Sequence, residues 1–381
     1  MASLEPDGRV WVSAEVREEI QEILLMLERS GARFTEVLID APESVLARLG
    51  ALPERVAGGK VRAVPYRHST RIGVAAKLLG LAQFAIRLAR RRPRLLFSGF
   101  SMMKHRVVSG VLRVPHIAYI RGVVFDPTVS VGISDRIRFG RLARLVPSRV
   151  TASYRADAVL TVGGMNRDFL AARGVPAEDI HVTGPVWLDA LEAAAAGPGT
   201  APAKQATAYF LTVAWQAHGR QSEHEAQLRV TRTLATRWAD PSRRLVLRVH
   251  PRDLYDYEAD PDYAAVALDR GSPEQFLAQL GADDLVIAPL STLAFEAAHL
   301  GRPVVFYADP VATAPYNHIY ERLGIQPRTV DQLVAGQLSP QPAPLASIFS
   351  AIDFGSVQKA LCSLGVPTAA SVEAVTHRMG R

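Results

Sequence analysis

Short apolar runs alternate with longer segments of helical periodicity along the whole chain. In the first half, these runs predict strands at residues 9–13, 34–39, 61–64, 94–97, 115–119, 158–162 and 180–183. In the second half, they predict strands at residues 209–213, 244–249, 284–288 and 303–307. Strands that alternate with helices in this way are typical of βαβ units. The pattern therefore predicts an α/β fold with parallel sheets.

The segments between these strands repeat apolar residues at spacings of three and four, which predicts amphipathic helices. The predicted helices are residues 15–29, 73–92, 165–173, 223–238, 272–280 and 293–300. Residues 192–206 differ, because they are rich in Ala, Gly and Pro and lack apolar periodicity. A segment of that composition is typical of a linker.

The predicted linker divides a chain of 381 residues, which is long for a single hydrophobic core. We expect residues 1–190 to form an N-terminal α/β domain, with 191–206 as the linker. Residues 207–345 are expected to form a second α/β domain, and 346–381 a helical segment that returns to the first. Two open α/β domains of this kind would hold a ligand in a cleft between them, outside the carboxyl ends of the strands.

The composition, 48% hydrophobic and 21% charged residues, is that of an ordinary globular protein. No apolar run is long enough to cross a membrane, and the N-terminus lacks a basic-then-apolar signal. Cys362 is the only cysteine, which excludes an internal disulfide. These features predict a cytoplasmic protein.

The charge is distributed unevenly. Residues 55–149 contain 20 Lys and Arg but only two acids, Asp126 and Asp135. A positive field of this kind favours a polyanionic partner. We expect the protein to bind peripherally to the inner face of an anionic membrane through residues 73–149. The alternative is that the apolar face of the predicted helix at residues 73–92 packs on the sheet of its own domain and leaves the arginines on solvated faces. Nucleic acid is disfavoured, because the basic clusters contain neither zinc-ligand spacing nor interleaved aromatic residues.

The strongest local motif follows the predicted strand at residues 284–288. Ser291 and Thr292 stand at the start of the next helix, and Glu296 lies one turn further along. A helix N-terminus with two hydroxyls suits a phosphate, and Glu296 is placed to accept hydrogen bonds from sugar hydroxyls. A plain N-cap with a solvated Glu296 is the alternative interpretation.

A second motif ends the predicted strand at residues 244–249. Pro251 favours an extended backbone at His250, so the imidazole is held at the strand end, two residues after Arg248. A histidine there is able to donate to a phosphate oxygen or to protonate a leaving group, and we expect Arg248 and Pro251 to line the donor site with it.

A third candidate is the loop after the predicted strand at residues 209–213. Trp215 is suited to stack on a base, and His218, Gly219 and Arg220 to approach a phosphate. A surface loop with a buried Trp215 is the alternative.

Taken together, these residues make the C-terminal half resemble the donor-binding domain of GT-B glycosyltransferases. The most similar group contains bacterial polysialyltransferases, capsule sugar transferases, CDP-glycerol glycerophosphotransferases and UDP-N-acetylglucosamine 2-epimerase. The resemblance covers residues 155–310 best and includes the passage between the domains, where Gly184 is a further expected contact of the donor. It implies a GT-B-like fold of two Rossmann-like domains facing an interdomain cleft, with the basic N-terminal domain on the acceptor side and residues 207–345 as the nucleotide-sugar donor domain. It also implies that the donor phosphates lie against His250, Ser291 and Thr292, with ribose at Glu296.

The activity implied is a glycosyltransferase of cell-surface polysaccharide synthesis, such as capsule formation. It would move a sugar or sugar-like group from a CMP-, CDP- or UDP-type donor to a glycan or lipid-linked acceptor. A UDP-sugar 2-epimerase-like enzyme is the first alternative, but residues 114–127 lack the His-x-Glu-Ala-Gly-like run of those enzymes. A non-enzymatic polyanion-binding protein is the second.

Catalytic groups are expected near the predicted strand ends. For the base that activates the acceptor hydroxyl we name Asp126 first, Glu15 second and His105 third, with His250 as acid or hydrogen-bond donor. The resemblance implies no cofactor besides the nucleotide-sugar substrate. No Asp-x-Asp motif stands at a strand end, so charge is expected to be stabilised by His250, the helix terminus and nearby arginines without a metal.

Overall fold

The chain divides into two compact units in the computed structural model. Among the residues that the structure describes, the first unit comprises those within 8–122, 156–186 and 347–368, and the second comprises those within 187–346. The structure describes residues 8–67, 74–99, 103–122, 156–172, 174–188, 206–216, 220–314, 316–340 and 342–368. Except for residue 206, the predicted linker lies outside these ranges.

The strands, in chain order, are β1 (Arg9–Ser13), β2 (Glu36–Pro42), β3 (Arg55–Val56), β4 (Gly59–Tyr66), β5 (Leu95–Ser98), β6 (His116–Ile120), β7 (Ala158–Thr161), β8 (Ile180–Val182), β9 (Thr207–Leu211), β10 (Arg244–Arg248), β11 (Ala267–Asp269), β12 (Leu285–Ala288) and β13 (Val304–Phe306). The helices are α1 (Arg17–Arg29), α2 (Glu43–Leu49), α3 (Val74–Arg91), α4 (Met103–Leu112), α5 (Gly164–Ala172), α6 (Gln221–Arg237), α7 (Pro273–Gln279), α8 (Thr292–His299), α9 (Asn317–Arg322), α10 (Val330–Val334), α11 (Leu345–Ile348) and α12 (Phe354–Ser363).

The first unit is built on an eight-stranded sheet with the order β3-β4-β2-β1-β5-β6-β7-β8. Its neighbouring strands are parallel except for the antiparallel pair of β3 and β4. From β1 the chain adds β2 and β4 on one side and then, from β5 onwards, strands on the other. The order therefore reverses between β1 and β5, and a doubly wound sheet opens its ligand crevice at such a point.

The second unit repeats this plan with five parallel strands in the order β11-β10-β9-β12-β13. The strand order reverses between β9 and β12. The central strands are buried over their whole length, as expected for a parallel sheet covered by helices on both faces. Phe210 of β9 and Tyr307, which follows β13, lie in the core of this unit with their ring centroids 4.9 Å apart.

Residues 347–368 complete the first unit. The N–H of Ser350 donates to the carbonyl oxygen of Val162 (3.0 Å), and that of Asp353 donates to Thr183 (2.9 Å). After these contacts α12 packs against β7, β8 and α1 and buries Val357 and Leu361.

The α/β fold class is confirmed, and every strand predicted from the pattern is present with its ends shifted by a few residues. The elements that were not predicted are the helices α2, α4, α9 and α10 and the short strands β3 and β11. The sequence of α4 contains Ser109 and Gly110, which are poor helix formers, so tertiary packing of Val108 overrides local propensity there. None of the described helices is long and apolar enough to span a membrane.

Candidate functional site

The reversal of strand order in the second unit brings two of the predicted motifs to one place. Strand β9 ends at Leu211 and leads directly into the loop that contains Trp215. The neighbouring strand β12 ends at Ala288 and leads, within three residues, to Ser291. The loop after β9 and the N-terminus of α8 therefore flank the crevice where doubly wound sheets bind ligands.

Ser291 is the N-cap residue of α8, as predicted. Its backbone is extended (φ −147°, ψ 138°), and its carbonyl oxygen accepts from the N–H groups of Ala294 (3.1 Å) and Phe295 (3.2 Å). Within the described part of the chain, the Ser291 side chain makes no capping hydrogen bond to its own helix, which argues against the alternative of a plain side-chain cap. Ser291 and Thr292 are both partly exposed at the positive end of the helix dipole.

Glu296 lies one turn after Thr292 in α8 and is buried together with Phe295. Its predicted contact with ribose hydroxyls stays a prediction.

His250 follows β10, the strand next to β9, and its orientation is fixed from two sides. The backbone N–H of His250 donates to Oγ1 of Thr212, the first residue after β9 (2.9 Å). Its Nδ1 accepts from the N–H of Arg252 across the turn at Pro251 (3.1 Å). A ring nitrogen that accepts carries no proton, so the neutral imidazole holds its proton on Nε2. His250 therefore presents an N–H donor at the carboxyl edge of the sheet, and Thr212 is a positioning residue that no sequence motif indicated.

Trp215 and Arg220 pack against each other instead of standing in an open loop. The indole of Trp215 is buried, its ring centroid is 5.6 Å from that of Tyr316, and the Arg220 guanidinium lies 5.7 Å from it. Arg220 is itself buried and ion-paired with Glu223. This arrangement agrees with the alternative of a buried tryptophan, so base stacking by Trp215 remains without support.

The other predicted ligand contacts are placed as follows. Arg248 is buried, pairs with Oδ1 of Asp269 at 3.0 Å and covers the ring of Phe276, so its predicted contact with a ligand is untested. Gly184 belongs to the first unit, where a Cβ would stand 2.6 Å from the carbonyl oxygen of Ala351. His218, Gly219 and Asp126 lie outside the described residues.

The first unit contains a buried polar cluster at the carboxyl ends of β1 and β2. The hydroxyl of Ser13 donates to Oδ2 of Asp40 (3.2 Å) and lies 3.0 Å from Nε2 of His105. Because the serine proton is used on Asp40, Nε2 of His105 acts as the donor to Ser13. Arg87 holds the other carboxylate oxygen of Asp40 through its Nε at 3.0 Å.

Burial dominates the electrostatics of this cluster. Desolvation lowers the pKa of His105 well below its usual value, so the ring is neutral. Desolvation also raises the pKa of Asp40, while the neighbouring Arg87 opposes that rise. Both side chains are buried and hydrogen-bonded to protein groups, which gives His105 a structural role in place of the expected base.

Glu15 is an accessible carboxylate at the carboxyl edge of the first unit's sheet. It follows β1, at the point where the strand order reverses, and pairs with Nζ of Lys104 at 3.0 Å. Its side chain is 35% exposed, unlike that of Asp40. Among the proposed bases in the described part of the chain, Glu15 is thus the one that a substrate is able to reach.

No group of three or more His, Cys, Asp or Glu side chains that could hold a metal is found in the described ranges. The expectation of metal-independent chemistry stays a prediction.

The sequence matches no model of a known protein family, and no curated protein matches it. The structure is similar to several solved ones. A UDP-GlcNAc 2-epimerase from Methanocaldococcus jannaschii, in complex with UDP-GlcNAc and UDP, has a TM-score of 0.63 and 11% identity, over 94% of this chain and 100% of that one. A putative UDP-N-acetylglucosamine 2-epimerase from Listeria monocytogenes has a TM-score of 0.58 and 14% identity, over 95% and 92%. The glycotransferase of kitacinnamycin has a TM-score of 0.53 and 16% identity, over 97% and 99%.

At these identities the similarity establishes the fold. Two Rossmann-like sheets, each with its strand order reversing beside the first strand, agree with that result. The fold class predicted from the sequence is confirmed: the chain has a GT-B-like α/β fold of two Rossmann-like units, as these solved structures do.

Proposed function

We propose that this protein is an enzyme that binds a nucleotide-activated sugar at the carboxyl edge of the second unit's sheet. The observation that carries this proposal is the meeting of β9 and β12 at the reversal of strand order, with Ser291 and Thr292 at the N-terminus of α8. The donor phosphate would accept from the helix N-terminus and the two hydroxyls. Nε2–H of His250 would supply a further donor, and Glu296 would face the ribose.

As the reaction, we propose transfer of the sugar to a glycan or lipid-linked acceptor, in the synthesis of a cell-surface polysaccharide. Support comes from residues 114–127, which lack the His-x-Glu-Ala-Gly-like run of the 2-epimerases. Glu15 and Asp126 are the proposed bases of such a transfer.

Epimerisation of a UDP-sugar is the second candidate, and the similar structures favour it over transfer. Several of them are UDP-GlcNAc 2-epimerases, two of these with UDP-GlcNAc bound. Both reactions begin with the same bound donor, so the binding site proposed for the second unit serves either.

Nucleotide binding is tested first, by thermal unfolding of the full chain with CMP, CDP, UDP, GDP or TDP. A nucleotide that binds only the folded state raises the melting temperature. If none of the five does so at millimolar concentration, while polyanions bind in a strongly salt-dependent manner, the non-enzymatic alternative replaces the proposal.

Two serines at helix starts provide a matched pair of variants. Ser272 caps α7 through a capping box, whereas Ser291 makes no such bond in α8. Ser272→Ala should therefore destabilise the protein by about 1 kcal/mol and leave nucleotide affinity unchanged. Ser291→Ala should preserve stability and weaken the nucleotide about tenfold, since a hydrogen bond to a charged group is lost. Equal affinities in the two variants would remove Ser291 from the site.

The two reactions are then separated with UDP-GlcNAc in deuterated water and no acceptor present. A 2-epimerase converts the sugar and incorporates deuterium at C2. A transferase leaves C2 unlabelled and releases UDP only by slow hydrolysis. Labelled epimer would overturn the transferase proposal and establish the second candidate.

A further inference from the structure

Large apolar side chains are exposed on two neighbouring helices of the first unit. Leu78, Leu79 and Ile86 on α3, with Val107 and Val111 on α4, are each between 43% and 77% exposed. The two helices are in contact. Single exposed apolar residues are normal on a protein surface, but five on one helix pair indicate an interaction surface.

Helix α3 is apolar on two opposite sides. Its inner side places Phe84 and Leu88 in the core beside Trp11. Its outer side carries Leu79 and Ile86, which are separated by seven residues and therefore lie on one line along the helix. A crossover helix needs only one apolar side to pack on its sheet, so the outer side is not explained by packing in this unit.

The surroundings of this surface are basic. Residues 55–125 contain no Asp or Glu. Arg90, Arg91 and Arg92 are exposed at the C-terminal end of α3, and they form no ion pair with any residue that the structure describes. Arginines in this state attract an anionic surface.

We propose that the outer sides of α3 and α4 dock on an anionic lipid bilayer. Leu79 and Ile86 enter the boundary between headgroups and acyl chains, and the arginines at residues 90–92 contact lipid phosphates. The proposal concerns a surface of the first unit and does not depend on the reaction or the nucleotide site proposed for the second.

The combination of arginines and apolar side chains favours a bilayer over the other possible partners of this surface. A second copy of this chain, bound through the same surface, would offer the arginines no opposite charge, because α3 and α4 contain no Asp or Glu. A nucleic acid would satisfy the arginines but leave the leucines in water, because no exposed aromatic side chain of α3 or α4 is available to stack on bases. An anionic bilayer satisfies both the charged and the apolar side chains.

Co-sedimentation of the full chain with vesicles tests the proposal. Vesicles of phosphatidylglycerol and phosphatidylcholine in equal parts should bind the protein, and vesicles of phosphatidylcholine alone should bind it at least tenfold more weakly. Each arginine near the surface strengthens binding about fivefold, so raising the salt concentration should release the protein.

The apolar part is tested with the double variant Leu79→Glu/Ile86→Glu. It should lower binding to the anionic vesicles at least tenfold. The matched control is Leu254→Glu, which changes an exposed leucine of the second unit and should bind like the unchanged protein. Thermal unfolding verifies that both variants fold, and their nucleotide-induced shift should match that of the unchanged protein.

Three results would overturn the proposal: no binding of the unchanged protein to anionic vesicles, full binding by the folded double variant, or an equal loss in the Leu254→Glu control. Binding of duplex DNA that displaces the vesicles and is insensitive to the double variant would assign the surface to nucleic acid instead. None of these results bears on nucleotide binding, so the two proposals fail separately.

Discussion

Substitutions at His250 separate its local structural contact from its chemical role. Nδ1 of His250 accepts from the N–H of Arg252, two residues later. An asparagine side-chain oxygen makes the same contact in an Asx turn, but it has no counterpart of the Nε2–H donor. His250→Asn therefore preserves the turn and removes the donor, whereas His250→Ala removes both.

The magnitudes follow from these two contacts. Loss of the turn hydrogen bond should cost His250→Ala about 1 kcal/mol of stability, and His250→Asn close to none. Loss of a hydrogen-bond donor that stabilises the charge developing on the phosphate costs about 3–4 kcal/mol in the transition state. Both variants should therefore consume the nucleotide-sugar roughly a hundredfold to a thousandfold more slowly. His250→Gln, whose longer side chain brings an amide N–H towards the Nε2 position, should recover part of that loss.

The assay combines urea unfolding with the steady-state rate of donor consumption for all three variants. A stable His250→Asn protein with unchanged turnover would refute the role of His250 as donor or acid. A rate loss in His250→Ala that His250→Asn fully restores would also refute it, because only the turn would then matter.

Three further predictions concern stability and metal dependence. Gly184 has φ +71°, and a Cβ there meets the Ala351 carbonyl, whereas Gly365, at φ +75°, has only the end of a flexible arginine within 4 Å. Urea unfolding should show a loss of about 3 kcal/mol for Gly184→Ala but about 1 kcal/mol for Gly365→Ala; equal losses would contradict the clash. Burial lowers the pKa of His116 to about 3 from 6.5, so the unfolded chain takes up the proton first as the pH falls. The contribution of neutral His116 to the free energy of unfolding is therefore complete above pH 6.5 and decreases by about 1.4 kcal/mol per pH unit towards pH 3. Urea unfolding at pH 7 and pH 5 should show a smaller pH dependence of stability for His116→Gln than for the unchanged protein. Donor turnover should survive chelation with EDTA, and a loss that magnesium restores would refute metal-independent chemistry.

The sequence predicted those parts of the fold and site that depend on local pattern. Buried parallel strands are continuous apolar runs, and Ser291 and His250 each stand directly after such a run, so their position at the carboxyl edge could be predicted. The three-residue edge strand β11 could not, because it is only partly buried and ends in Asp269. The segment is a strand because it pairs with β10, although its own sequence contains no apolar strand pattern.

Contacts between distant residues were beyond the sequence pattern. The cluster of Ser13, Asp40 and His105 joins two strands and a helix, and Ser13 and His105 are 92 positions apart in the sequence. No spacing rule links such positions, so His105 was predicted as a candidate base, whereas the structure buries it. The stacking of Trp215 against Tyr316 was unpredictable for the same reason, since the residues lie in different elements of the second unit.

The position of α12 has a consequence for biosynthesis. The described strands of the second unit follow one another from Thr207 to Phe306, so its sheet is able to form while the chain is still growing. The first unit has to wait, because Val357 and Leu361 of α12 cover β7 and β8. Until residues 354–363 leave the ribosome, that side of its sheet exposes apolar surface. The half of the protein made first should therefore be the half that is finished last and that depends more on chaperones.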